Sequence, residues 1–400
     1  MLMRVALATT IAAAVAFATS YLFPKASYHK NRRSDTPLFR FEKNGQVGFI
    51  DDRGEVKIPP KFDVGWFAEE DFVEGLSPAR SGRNWGFIDT KGNWAIKAKY
   101  MRVEPFSEGL AAVIGHREGS GHPFAYIDKN GATIIRLPED VYRADPFSEG
   151  MAAVSTFEDK FGYIDRTGKL TIPYQFEVAG PFREGLAAVV FGGRCYVEAR
   201  NDSPRYMSLG GVHLLSSDEL DAFIAGTAAM SSPGVPPFIT ERCGEGFIDK
   251  TGKIIFRVQG ARDFSEGLAA VEDLGKWGFI DRNGTFRVSL QFEDARSFCN
   301  GLAPARVDGK WGYIDSAGQW KIRPEFKEAD EFSDGLASAD SGYIDQSGTR
   351  VVNTKGTAFV QGLAHVTLGP DKYGYINHRG KIVFRYRAKH EEPSLPPTID

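Results

Sequence analysis

The chain has 400 residues, 42% hydrophobic and 12% aromatic, with 30 Phe and 44 Gly. Its 49 basic and 52 acidic residues are well interspersed and leave a formal charge of −3, which excludes a domain-scale basic surface and so nucleic acid as a partner. The apolar content argues against global disorder, and short Phe-, Tyr- and Ile-rich runs punctuated by Gly favour an all-β chain.

Residues 1–18 read as a signal peptide. Arg4 supplies a minimal positive start, Val5 to Phe17 an Ala-rich apolar run, and Ala16-Phe17-Ala18 a small-x-small cleavage pattern. The alternative is an uncleaved N-terminal anchor, because the run continued to Phe23 is barely long enough to span a bilayer. Thr9, Thr10, Thr19 and Ser20 dilute that run, and Lys25, Lys30, Arg32 and Arg33 after it oppose the orientation an anchor needs. Cleavage is therefore preferred, and the expected location is periplasmic or secreted. The anchored alternative would face outside the cytoplasm, and membrane contact is expected only in that case. Residues 19–37 form a polar linker.

From Leu38 to Arg387 one motif governs the chain. Gly-[Phe/Tyr]-Ile-Asp-x-x-Gly starts at Gly48, Gly86, Gly162, Gly246, Gly278, Gly312 and Gly342, with variants at Ala125 and at Gly374, where Asn377 replaces Asp. An internal repeat at this spacing decides the architecture before any local reading does. The first unit shows its plan. Phe39-Arg40-Phe41 is a strand, Asn44-Gly45 a hairpin turn, Gln46 to Asp51 a second strand, and Glu55 to Ile58 a third. The Asp of the motif caps a turn: its carboxylate accepts from backbone N–H groups two and three residues on, and the Gly supplies the positive φ. This reading covers Asp51, Asp89, Asp128, Asp165, Asp249, Asp281, Asp315, Asp345 and Asn377.

A second signature, Phe-x-Glu-Gly-Leu-Ala, precedes the hairpin in the later units, as in Phe106 to Ala111, Phe182 to Ala187 and Phe264 to Ala269. Its Glu (Glu74, Glu108, Glu149, Glu184, Glu266) becomes Asn300, Asp334 and Gln361 elsewhere. That tolerance suits hydrogen bonding to a neighbouring turn better than acid–base catalysis. Each unit is thus a three-stranded antiparallel meander followed by a connector. Both faces of its strands carry apolar groups, so a unit can be buried only by stacking on its neighbours.

The array, residues 38–387, is interrupted once, by an insertion at 193–244 in the fifth unit. Ser216-Ser217-Asp218-Glu219 is a capping box, and Leu220, Phe223 and Ile224 at helical spacing predict a short helix ending near Gly226. Cys195 and Cys243 stand at the two mouths of this insertion. In an exported chain they predict a structural disulfide, which would stabilise by roughly 3–4 kcal/mol in the chain-entropy account. Cys299 replaces the Ser of Phe-Ser-Glu-Gly and reads as a buried thiol. Residues 388–400, with Pro393, Pro396 and Pro397, form a disordered tail.

Little in the sequence points to a reaction. The repeated Asp residues lack the Asp-x-Asp-x-Asp-Gly loop of a calcium site. His116 and His122 flank a Gly-rich loop with no completing ligands. The recurring Gly-Lys pairs are not followed by Ser or Thr and a helix, so they are not phosphate loops. No nucleophile–base arrangement is recognisable, and no cofactor or metal site is expected. Trp66, Trp94 and Trp320 fall outside the main motif and are candidates either for packing or for a sugar- or peptide-binding strip.

Lys276-Trp277-Gly278 and Lys310-Trp311-Gly312, followed by the Tyr/Phe-Ile-Asp-x-x-Gly string and later by Phe-x-Glu-Gly-Leu-Ala, resemble the WG repeat (KWG repeat) family of bacterial proteins. The Trp survives only at Trp85, Trp277 and Trp311, and is replaced by Val47, Phe124, Phe161, Glu245, Ser341 and Tyr373. The resemblance implies tandem β-repeats, frequent export and no catalytic residues. The expected fold is all-β, about nine meanders in an open solenoid-like or superhelical array, with a closed propeller-like ring as the alternative. The expected role is an exported, non-enzymatic protein that binds a protein or a cell-envelope polymer. The rival is an envelope polysaccharide hydrolase with its site near the insertion.

Overall fold

The computed structural model describes residues 37–65, 72–116, 123–157, 160–191, 244–273 and 275–388. The signal segment, Trp66, His122, the Cys195–Cys243 pair, the helix expected in the insertion and the tail beyond Ala388 lie outside the described residues.

Every regular element among the described residues is a β-strand, and every pairing is antiparallel. The first sheet shows the pattern, with strands adjacent in sequence order: β1 (Phe39–Lys43), β2 (Gln46–Ile50), β3 (Val56–Asp63), β4 (Leu76–Ser81), β5 (Asn84–Asp89) and β6 (Trp94–Tyr100). Elsewhere the connector supplies a short additional strand, as at Arg102–Val103, Val141–Ala144, Gly260–Ala261 and Asp294–Ala295. The connector is therefore part of the sheet, and the three-stranded meander of the sequence becomes a four-stranded one in these units. Two sheets carry on into the next unit, with six and seven strands, and the other five among the described residues have three or four.

The motif glycine has a packing reason. A Cβ on Gly278 would stand 2.7 Å from the carbonyl oxygen of Val288 and 2.9 Å from the nitrogen of Leu290. Here the ladder shifts register between Trp277 and Phe279, and the third strand crowds against the motif strand. A side chain at that point would push the two strands apart.

The core runs between units. The aromatic ring before the motif Ile packs edge-on against the Phe that opens the next unit's Phe-x-Glu-Gly-Leu string, as with Phe49 on Phe72, Phe87 on Phe106, Tyr126 on Phe147 and Phe279 on Phe298, with centroids 5.0, 4.7, 4.8 and 4.8 Å apart. Such pairs contribute about 0.5–1.5 kcal/mol each beyond their buried area. The Ala residues that follow the Leu (Ala111, Ala187, Ala269, Ala303) are almost fully buried, leaving room for these rings.

The ends of the array meet. In successive units the motif Tyr hydroxyl donates to a backbone carbonyl of the following unit: Tyr126 to Asp145, Tyr163 to Gly180, Tyr313 to Asp330 and Tyr343 to Thr357. In the last unit Tyr375 donates at 2.6 Å to the carbonyl of Arg40 in the first. The turn glycine of each unit likewise sits over the third strand of the one before. Gly168 abuts Ile135, Gly318 abuts Val288, and Gly54 abuts the Val383 carbonyl of the last unit. Phe41 adds an edge contact to Phe384, with centroids 4.8 Å apart. The open array expected from the sequence would keep its two ends apart; these contacts instead join the first unit to the last, because the neighbour-to-neighbour interface is self-complementary and is reused there.

Candidate interaction surface

Each repeated acidic turn residue is occupied by its own backbone. Asp281 Oδ1 accepts from Asn283 and Thr285 at 2.9 and 3.0 Å, and Asp128 Oδ1 accepts from Asn130 and Ala132, both at 2.9 Å. The same pair of bonds is made by Asp51, Asp89, Asp165, Asp249, Asp315 and Asp345, and by the side-chain oxygen of Asn377. The acceptor pattern is to residues two and four on. The N–H three residues on, from the turn Gly, goes instead to the Asp carbonyl, as in Gly284 to Asp281 at 2.9 Å. The bond from the Ala132 amide, with that from Asn130, holds the Asp128 carboxyl below the usual range. These residues are turn-makers with no lone pair group aimed at a common site.

The Glu of Glu-Gly joins units. Its backbone lies in the left-handed region, with φ of 54° at Glu74 and 53° at Glu184. From there its carboxylate accepts from the Gly N–H of the next unit's equivalent turn. The series runs from Glu74 to Gly109, Glu108 to Gly150, Glu149 to Gly185, Glu184 to Gly267 and Glu266 to Gly301, at 2.9–3.0 Å. Asn300 and Asp334 continue it to Gly335 and Gly362. A cation beside the following turn clamps several of these acids: Lys129 on Glu74, Arg166 on Glu108, Lys250 on Glu149 and Arg282 on Glu184. The Ser before the Glu adds a second link, as Ser148 Oγ donates to the Phe182 carbonyl at 2.7 Å and Ser265 Oγ to that of Phe298 at 2.7 Å.

The Trp position of the motif carries a flat group that an arginine covers. Arg262 lies 4.9 Å from the Trp277 ring centroid, Arg296 lies 5.1 Å from Trp311, and Arg143 lies 5.5 Å from Phe161. An aromatic face is what the site requires, which explains why Phe substitutes for Trp. Val47, Ser341 and Glu245 depart from this rule. The Glu245 carboxylate accepts at 3.0 Å from the Ala261 N–H, and burial pushes it up to about 7.

The joint between last and first units carries side chains that no other unit repeats. His365 stands where the units between have Ala, Pro or Ser and the first has Arg40. Its ring stacks on Tyr373 with an interplanar angle of 14°, and Nε2 lies 2.7 Å from the Tyr386 hydroxyl. Burial, then the nearby Arg40 cation, lowers the basicity of His365. Among the described residues no three His, Cys, Asp or Glu side chains are placed to hold a metal, and His116 contacts Asn84.

Among the outward-facing positions, one is apolar in most units. The residue paired with the motif Ile across the last turn is Val56, Trp94, Thr133, Leu170, Ile254, Phe286, Trp320, Arg350 and Ile382 in turn. Most are apolar, yet Val56 and Phe286 are 48% exposed, Leu170 40% and Ile254 37%. Among the described residues the most exposed bulky apolar side chain is Phe157, whose ring leans on Tyr142 with centroids 5.4 Å apart. The sequence had singled out Trp94 and Trp320; it did not mark the smaller residues at the same register, which need the pairing to be seen.

The WG containing repeat pattern matches six segments: residues 48–83, 85–114, 161–195, 246–277, 277–311 and 311–339. The chain belongs to the WG repeat family. No curated protein shows significant sequence similarity to it. In fold, this WG repeat protein is similar to a eukaryotic initiation factor, with a TM-score of 0.52 and 11% identity over 88% of this chain and 96% of that one. Weaker likenesses are to BamB from Moraxella catarrhalis (TM-score 0.40, 11% identity, 90% and 94% covered) and AztD from Citrobacter koseri (0.30, 12%, 88% and 82%). At such identities the likeness concerns the fold alone.

Proposed function

We propose that this WG repeat chain is an exported, non-enzymatic protein that offers an extended surface to a partner protein or a cell-envelope polymer. The observation that carries the reading is the series of exposed apolar residues at one register position, Val56, Leu170, Ile254 and Phe286 among them. Apolar side chains at one place in successive units build a belt that follows the array from unit to unit, which suits a partner protein or polymer better than a small molecule. The repeated polar groups support the same reading, since turns and inter-unit links already occupy them. Export rests on the apolar run and cleavage pattern of residues 1–18.

A second reading, an envelope polysaccharide hydrolase near the 193–244 insertion, draws on Glu245, a buried carboxyl held near neutrality one residue beyond that segment. It needs a second, ionised carboxylate across a substrate, and the repeat Asp and Glu residues described above are committed elsewhere. Affinity capture from an envelope fraction tests the main reading. The full mature chain should retain a partner, and a variant with Leu170, Ile254 and Phe286 each changed to Ser should retain at least tenfold less. Equal retention by both would remove the surface from the account, and turnover of an envelope polysaccharide abolished by Glu245→Gln would establish the hydrolase instead.

A further inference from the structure

Trp94 and Trp320 occupy one register position in two different units, and each meets a Phe of the preceding unit edge-on. Trp94 lies against Phe62 at 5.4 Å and 85°, and Trp320 against Phe292 at 5.7 Å and 80°. At the first of these corners the surface is concave. A cleft of about 290 Å³ is lined by Lys61, Phe62, Ser81, Gly92, Asn93 and Trp94. Gly92, with φ of 77°, packs onto Ile58, which brings its turn close to the preceding unit and leaves the half-buried indole at the cleft wall.

The lining combines three kinds of group. The indole and the Phe62 ring supply an apolar wall. Ser81 and Asn93 are exposed and polar, and the Asn93 amide nitrogen is turned to Asp89 Oδ2 at 3.3 Å, which leaves its carbonyl oxygen as an acceptor. Lys61 is exposed and holds its ammonium 5.2 Å from the Phe62 centroid, over the same wall. The volume admits one six-membered ring with its substituents and is too small for a folded partner. A ring with an apolar face, hydroxyl edges and one negative substituent matches such a lining.

We propose that the Phe62–Trp94 cleft binds a single pyranose ring bearing a carboxylate, within an anionic polysaccharide. The ring's C–H face packs on the indole, its hydroxyls meet Ser81 and Asn93, and its carboxylate pairs with Lys61. The proposal rests on the polymer-binding reading above and narrows it to one ligand class at one corner.

Calorimetric titration of the mature full-length protein with tetragalacturonate, and with neutral cellotetraose for comparison, tests this. Tetragalacturonate should bind at least tenfold more tightly than cellotetraose. Lys61→Gln, a surface change that leaves the core intact, should remove that preference while sparing the neutral oligosaccharide. Trp94→Ala should lose both ligands by tenfold or more, and Trp320→Ala at the equivalent corner should lose neither. If Trp94→Ala melts early, Trp94→Leu keeps apolar volume and should still lose the ligand. Equal affinity for the two oligosaccharides, no measurable binding of tetragalacturonate, or binding indifferent to Lys61 and Trp94 would each overturn the cleft assignment. Retention of an envelope partner by the Trp94→Ala protein would show that the wider interaction reading survives that failure.

Discussion

The Glu74 carboxylate accepts a hydrogen bond at 3.0 Å from the backbone N–H of Gly109, 35 residues further on in the next unit. The same relation recurs from Glu108 to Gly150 and from Glu184 to Gly267, so neighbouring units are tied turn to turn. Removing one tie should cost stability without touching the core. Glu184→Ala loses the Gly267 bond and the 2.8 Å contact with Arg282, while the left-handed φ of 53° is strained for either side chain. We expect a loss of about 1–2 kcal/mol, read from a denaturant midpoint. Glu184→Gly removes the backbone strain and should recover part of it. A midpoint unchanged in Glu184→Ala would show that the tie contributes nothing.

Turn glycines divide into two kinds, and their substitution should divide likewise. A Cβ on Gly168 would come within 2.6 Å of Ile135 Cγ2, whereas one on Gly75 would meet open space, although φ is 85° at both. Gly75→Ala should cost about 1 kcal/mol through backbone strain alone. Gly168→Ala should cost at least about 1 kcal/mol more, because Ile135 must move within a packed interface. Thermal melts of the two variants side by side check the order; the reverse order would contradict the packing described.

Local features of the fold were legible in the sequence, and long-range ones were not. The turn role of Asp281 and the strand pattern around Trp277-Gly278-Phe279 follow from local chemistry, so a single unit sufficed to read them. The Tyr375–Arg40 link joins residues 335 apart and uses a backbone carbonyl, which leaves no mark in composition or spacing. His365 stood in the sequence as one of several scattered histidines; only strand pairing shows that it replaces a small residue and stacks on Tyr373. The exposed belt was half visible, because Trp94 and Trp320 stand out, while Leu170 and Ile254 resemble core residues until register places them outside.

Glu245 and His365 give opposite pH signatures. Burial pushes Glu245 up to about 7 from 4.5, so the folded state binds the proton more tightly, and stability falls as pH rises from about 4.5 to about 7. Glu245→Gln keeps an acceptor for the Ala261 N–H and should raise stability at pH 8 by roughly 1–3 kcal/mol, with the gain vanishing near pH 4.5. A gain of equal size at both pH values would rule out burial of the charge as its cause.

His365 is lowered from 6.5 by burial and by Arg40, so its contribution is present above 6.5 and is lost as pH falls below that value. The wild type should lose more thermal stability between pH 7 and pH 5 than His365→Gln does. Parallel losses in the two proteins would place the acid sensitivity elsewhere.

The joint between the first and last units ties the two ends of the row together. Spin labels at the exposed positions Glu55 and Arg385, on the first and last units, measure it directly by pulsed electron resonance. Gly54 abuts Val383, so the account predicts one narrow distance distribution no greater than roughly 25–30 Å in solution, broadened by Phe41→Ala, which removes the ring packed on Phe384. A broad or much longer distribution in the wild-type protein would contradict the joining of the two ends.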